Sequence, residues 1–195
     1  MRIAVFGDSI MSSCQGHLAW EFGIRGYTLV NFTYPGTAPC DWFDEARGIR
    51  ADYDRAVVCF LGNMFTPCTQ KRGAQAEVYS QDMEHLAAIL AFLGKPTLFV
   101  NPPGIVDTTQ GQNWRTGPTL AAANARSHTY LDAADVLRQK YQGRVDLYTS
   151  WMPCDPWDIA SNRCMYGLAG IREADMVHLQ ASGQHRYSVR IANAL

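Results

Sequence analysis

The sequence carries no excess of charge of either sign: 17 Lys and Arg stand against 18 Asp and Glu, a formal net charge of -1. Basic and acidic residues are interspersed, so there is no electrostatic footprint for nucleic acid or anionic lipid. Apolar runs are short, and none approaches the roughly 20 residues that a membrane helix needs. Also missing are a charged N-terminal region followed by an apolar core and a small-residue cleavage site. Gly/Ser linkers, low-complexity tracts and fixed-period repeats are absent too. Together these absences predict a soluble chain folded as one domain over residues 1–195, without nucleic-acid partners or a transmembrane segment. They say nothing of oligomeric state.

Cysteine is present but not in metal-binding patterns. Cys14, Cys40, Cys59, Cys68, Cys154 and Cys164 form no C-x-x-C pair, and no Cys/His group has zinc-finger spacing, so no metal is expected. Cys59 lies in an apolar run and reads as a buried, inert thiol. Cys154 and Cys164 bracket a polar loop and are placed to pair if the compartment is oxidising. The balance leans slightly to the cytoplasm, or to export if a signal has been trimmed.

What is there is an alternation of strand and helix. Residues 2–6 (RIAVF), 27–32 (YTLVNF), 55–61 (RAVVCFL), 97–101 (TLFVN) and 144–149 (RVDLYT) read as strands. Helices are predicted over 14–25, 74–93, about 117–141 and from Gln180 onward, with Gly26 and Gly94 placed to stop the first two. The strands are near-continuous apolar runs, as in a parallel sheet covered on both faces. The fold class is therefore α/β, and ligands are expected at the carboxyl ends of the strands. Gly7-Asp8-Ser9, Asn31 and Gly36, Gly62-Asn63, and a late loop with Asp175 and His178 all fall at that rim.

Those residue types suit acyl transfer. A serine hydroxyl is a poor nucleophile without a base. His17, His85 and His185 lie on predicted helices and His128 follows a helical run, so each reads as a surface or solvated residue. His178 is instead in the loop "EADMVHLQASG", and Asp175 stands close enough to orient its imidazole through Nδ1. Oxyanion donors are available in the backbone N–H of Ser9, the backbone N–H of Gly36 and the amide of Asn63. Two of them have a plainer reading: Ser9 as a helix N-cap, Asn63 as a turn residue.

Four blocks in order carry a resemblance. "GDSI" (7–10), "NFTYPG" (31–36), "LGNM" (61–64) and "DMVHLQASG" (175–183) resemble the blocks of the SGNH hydrolases, or GDSL lipase/esterase superfamily. Leu61 and Met64 depart from the usual Gly and Asp of the third block, and Thr33 replaces a frequent Gly in the second. The resemblance implies a three-layer α/β/α sandwich on a five-stranded parallel sheet, flavodoxin-like in type. It makes Ser9 the nucleophile and first oxyanion donor, Gly36 and Asn63 the other donors, His178 the base and Asp175 its orienter, with Asp8 structural at the turn.

The implied activity is acyl transfer through an acyl-enzyme, either carboxylic ester hydrolysis or O-acylation of a carbohydrate or glycolipid hydroxyl. The substrate is then an acyl ester or thioester. No cofactor is implied, and acyl-CoA enters only as a donor if the enzyme is a transferase. Met64 and Phe65 suggest an apolar wall beside the oxyanion site, and Trp42, Trp151 and Trp157 read either as packed loop residues or as aromatic faces for substrate. The alternative of another class is a non-catalytic carbohydrate- or lipid-binding module that kept the fold.

Overall fold

The computed structural model describes residues 1–49, 51–60, 66–71, 76–100, 145–148, 173 and 178–195. Five strands, β1 (Arg2–Gly7), β2 (Thr28–Thr33), β3 (Arg55–Cys59), β4 (Thr97–Val100) and β5 (Val145–Tyr148), form one sheet in the order β2-β1-β3-β4-β5. Every pairing is parallel, with Gly7 opposite Thr33 on one side and Cys59 on the other. This is the flavodoxin-type order, which changes direction between β1 and β3.

The apolar runs become strands because both faces are buried. Side chains alternate across the sheet. Ile3 and Val5 of β1, Val57 and Cys59 of β3, and Leu98 and Val100 of β4 pack on one face. Ala4, Phe6, Ala56, Val58 and Phe99 pack on the other.

Helix α1 (Ser9–Gly23) lays Ile10, Met11, Cys14, Leu18 and Phe22 on the first face, beside Tyr187, Ile191 and Ala192 of the C-terminal helix Ala181–Ala194. The second face is covered by a 3-10 turn (Pro39–Trp42), the short helix α2 (Phe43–Ala46) and Tyr79, Met83, Leu86, Ala87 and Leu90 of α4 (Ala76–Phe92). Another four-residue helix, α3 (Pro67–Gln70), lies between β3 and α4. Phe6, Phe22 and Phe99 are fully buried, each contributing roughly 1.5–3 kcal/mol. The result is an α/β/α sandwich.

Two expectations shift. Helix α1 begins at Ser9 rather than residue 14, because the buried Asp8 caps it: its Oδ1 accepts the Ile10 N–H at 3.1 Å. The cap is thus Asp8, and Ser9 is the first helical residue rather than the cap itself. The segment after Gly36, to which the sequence assigns no helix, winds into the 3-10 turn and α2. The helix predicted over 117–141 lies outside the described residues. Among the described residues, no helix is long and apolar enough to cross a membrane.

Candidate active site

Ser9 reaches the rim of the sheet because β1 ends in a residue that tolerates no side chain. A Cβ on Gly7 would lie 2.6 Å from Met11 Cβ and 2.7 Å from the Cys59 carbonyl oxygen. Glycine is needed here for space, where the sequence suggests only a turn. Directly after it, Asp8 turns the chain into α1. The Asp8 carbonyl already accepts the Ser12 N–H at 2.9 Å, whereas Ser9 N–H, in the first helical turn, has no partner within the helix. The half-buried Ser9 therefore stands at the carboxyl end of β1, beside the point where strand order reverses, with the positive end of the α1 dipole behind it.

The stretch just before the C-terminal helix brings His178 to it. His178 Nε2 lies 2.8 Å from Ser9 Oγ, across 169 residues of sequence. That stretch is held on both sides of the imidazole. Glu173 N–H donates to the His178 carbonyl at 2.9 Å, Leu179 is buried in the core, and Gln184 Nε2 donates to the Leu179 carbonyl at 2.6 Å. Nδ1 is the other ring nitrogen able to hydrogen-bond, the position for which the sequence offers Asp175. Asp175, expected in that role, lies outside the described residues, as do Asn63, Met64, Phe65, Trp151 and Trp157.

The Gly36 loop is tied to the same rim. Tyr34-Pro35-Gly36-Thr37 forms a turn with Gly36 at φ +82°, a conformation that glycine adopts without a Cβ penalty, closed by Thr37 N–H to the Tyr34 carbonyl at 3.3 Å. Tyr34 N–H donates to the Gly7 carbonyl at 3.3 Å. The Thr37 hydroxyl shares its one proton between the carbonyls of Gly7 (3.0 Å) and Tyr34 (2.7 Å), and accepts Trp42 Nε1–H at 3.2 Å. Trp42 is half-buried with its ring against Phe32, 6.2 Å between centroids, so at least its indole N–H serves the loop. Asn31 Oδ1 accepts the Thr33 hydroxyl at 2.8 Å within β2.

Among the described residues, the other histidines behave as the sequence suggests, and His128 lies outside them. His85 and His185 are exposed, and His17 packs its ring on His185 at 5.5 Å rather than facing the strand ends. The sequence did not reveal Thr37 as the bridge to Gly7, nor the disulfide Cys40–Cys68. Cys154 and Cys164, placed to pair only in an oxidising compartment, are outside the described residues. Cys14 and Cys59 are buried free thiols. Burial pushes Cys14 up to about 12 and Cys59 well above the ordinary thiol value, and Cys59 Sγ lies 3.1 Å from Tyr187 Oη. Burial thus disfavours the thiolate form of both.

No family model and no curated protein matches the sequence. Solved structures do. The acetyl xylan esterase AlAXEase is similar over 100% of this chain and 100% of its own, with a TM-score of 0.69 and 17% identity. A GDSL-like lipase from Bacteroides thetaiotaomicron VPI-5482 is similar over 99% of this chain and 86% of its own, with a TM-score of 0.67 and 10% identity. Axe2, an acetylxylan esterase from Geobacillus stearothermophilus, is similar over 98% of this chain and 92% of its own, with a TM-score of 0.57 and 13% identity. The β2-β1-β3-β4-β5 parallel sheet, with Ser9 directly after β1 and His178 just before the last helix, is the fold of the SGNH, or GDSL, hydrolases.

Proposed function

We propose that this protein is an SGNH-type serine esterase that cleaves short acyl esters through an acyl-enzyme on Ser9. The observation that carries the reading is the 2.8 Å contact between His178 Nε2 and Ser9 Oγ at the strand-order switch. In the first step Oγ attacks the ester carbonyl carbon while Nε2 takes its proton. The oxyanion is held by the backbone N–H groups of Ser9 and Gly36 and by the Asn63 amide. The tetrahedral adduct collapses, the C–O bond to the alcohol breaks, and His178 returns the proton to the leaving alkoxide. Water, deprotonated by His178, then attacks the acyl-enzyme and releases the acid and free Ser9. Asp175 holds the Nδ1 hydrogen throughout.

The likeness to two acetylxylan esterases supports acetyl esters of carbohydrate as the substrate class. It also favours water over a sugar or glycolipid hydroxyl as the acceptor. Met64, Phe65, Trp151 and Trp157 are assigned to the walls of the substrate cleft. The 2.8 Å contact between His178 and Ser9 favours an enzyme over a non-catalytic binding module. The Cys40–Cys68 disulfide supports an oxidising compartment, in place of the cytoplasm to which cysteine usage leans. A panel of oxygen esters and acyl-CoA thioesters, with and without sugar acceptors, read by mass spectrometry, tests the assignment. Free acetate from acetylated sugar is expected. Dominant acyl-sugar formation from acyl-CoA would overturn the hydrolase reading.

A further inference from the structure

Cys40 and Cys68 are bonded across a separation of 28 residues, with Cα atoms 6.1 Å apart. The bond joins two elements that hold poorly by themselves. Cys40 sits in the 3-10 turn that ends the Gly36 loop, and Cys68 in the four-residue helix α3. Pieces so short are marginal on their own hydrogen bonds.

A continuous set of contacts runs from the disulfide to the nucleophile. Asp41 Oδ2, next to Cys40, accepts the Ala38 N–H at 2.8 Å. Thr37, the preceding residue, holds the Gly7 carbonyl at 3.0 Å and the Trp42 indole at 3.2 Å. Gly7 leads into Asp8 and Ser9. We infer that the Cys40–Cys68 disulfide is a positioning element of the oxyanion site, fixing the Gly36 loop against the Gly7-Asp8-Ser9 turn. The inference rests on the reading of Ser9 as nucleophile and Gly36 as an oxyanion donor. Such donors act only within a few tenths of an ångström of their mark, and a shift of ~1 Å costs up to ~10²-fold in rate.

The test is kcat and KM of the Cys40→Ser/Cys68→Ser double variant on p-nitrophenyl acetate, well below its melting temperature. Active sites are counted by fluorophosphonate titration. Wild-type protein with its disulfide opened by a phosphine gives the same measurement if the variant does not fold. The expected result is a roughly tenfold fall in kcat per titrated site, a fraction of the ~10²–10³-fold that follows loss of one donor. KM should stay within about twofold, and the acid limb of the pH–rate profile should keep its midpoint, because the base is untouched. A merely structural disulfide would lower the titrated fraction and leave kcat per site at the wild-type value, and that outcome overturns the inference. Ser9→Ala, run alongside, separates the two claims. If it retains turnover, the nucleophile reading fails first. If it is inactive while the double variant keeps wild-type kcat, only the positioning role fails.

Discussion

Replacing Gly7 with alanine places a methyl group where the molecule has no room for one. The new Cβ would lie 2.6 Å from both Cβ and Cγ of Met11 and 2.7 Å from the Cys59 carbonyl oxygen. Packed carbon atoms sit about 3.5–4.0 Å apart, so roughly 1 Å of movement must be found. Met11 is fully buried, and the Cys59 carbonyl belongs to the strand paired with Gly7, so neither yields freely. Overpacking of this kind costs about 1–3 kcal/mol. Alanine's smaller unfolded-state entropy returns about 0.4–1 kcal/mol. A net loss near 1–2 kcal/mol shifts the urea midpoint down by about 0.5–1 M at an m-value of ~2 kcal/mol/M. The same movement displaces Ser9, two residues on, and a displacement of ~1 Å is expected to cut kcat by about 10- to 100-fold. Urea unfolding followed by circular dichroism, with p-nitrophenyl acetate turnover at zero urea, reads both effects. A variant with wild-type midpoint and wild-type kcat would refute the argument that space at β1 sets the serine's position.

Asn63→Ala should lower kcat by about 10²–10³-fold, the usual loss for one oxyanion donor, with KM little changed; an unchanged kcat removes Asn63 from the hole. Removing the Cys40–Cys68 bond frees a loop with a separation of 28 residues, which by chain entropy costs about 3–4 kcal/mol. At ~2–4 °C per kcal/mol for a chain of this size, Tm of the double serine variant should fall by about 6–16 °C in calorimetry; an unchanged Tm contradicts it. With its pKa raised to about 12, Cys14 at pH 8 is thiolate in only about one molecule in ten thousand. Cys14 and Cys59 should therefore stay unmodified by N-ethylmaleimide in native protein and react fully in urea. Peptide mapping that finds either alkylated in the native state would show the α1 face of the sheet to be open.

The strands were legible because a parallel sheet buried on both faces needs near-continuous apolar runs, and IAVF, AVVC and LFV are such runs. Ser9 and His178 were legible because the rim of such a sheet is where polar residues have no packing reason to be. The identity of the cap was not, since aspartate and serine serve nearly equally at that position and adjacent residues compete for it. Asp8 won by being buried, which only the tertiary packing decides. Gly7 illustrates the same limit: the sequence marks a glycine at a strand end, but its reason, the Met11 side chain and the β3 backbone, lies across the fold. The Cys40–Cys68 pair had no local signature, because its partners meet only through the 3-10 turn and α3. Neither short element has enough periodicity to register in the sequence.

Everything proposed for the site depends on Ser9 acting as a nucleophile activated by His178. Intact-mass measurement after brief exposure to a fluorophosphonate, followed by peptide mapping, tests it most directly on wild type, Ser9→Ala and His178→Ala. One adduct per chain on Ser9 is expected in the wild type, none on Ser9→Ala, and labelling slowed by at least ~10²-fold in His178→Ala. Wild-type protein that takes no adduct on Ser9, or a His178→Ala variant labelled at the wild-type rate, would contradict it.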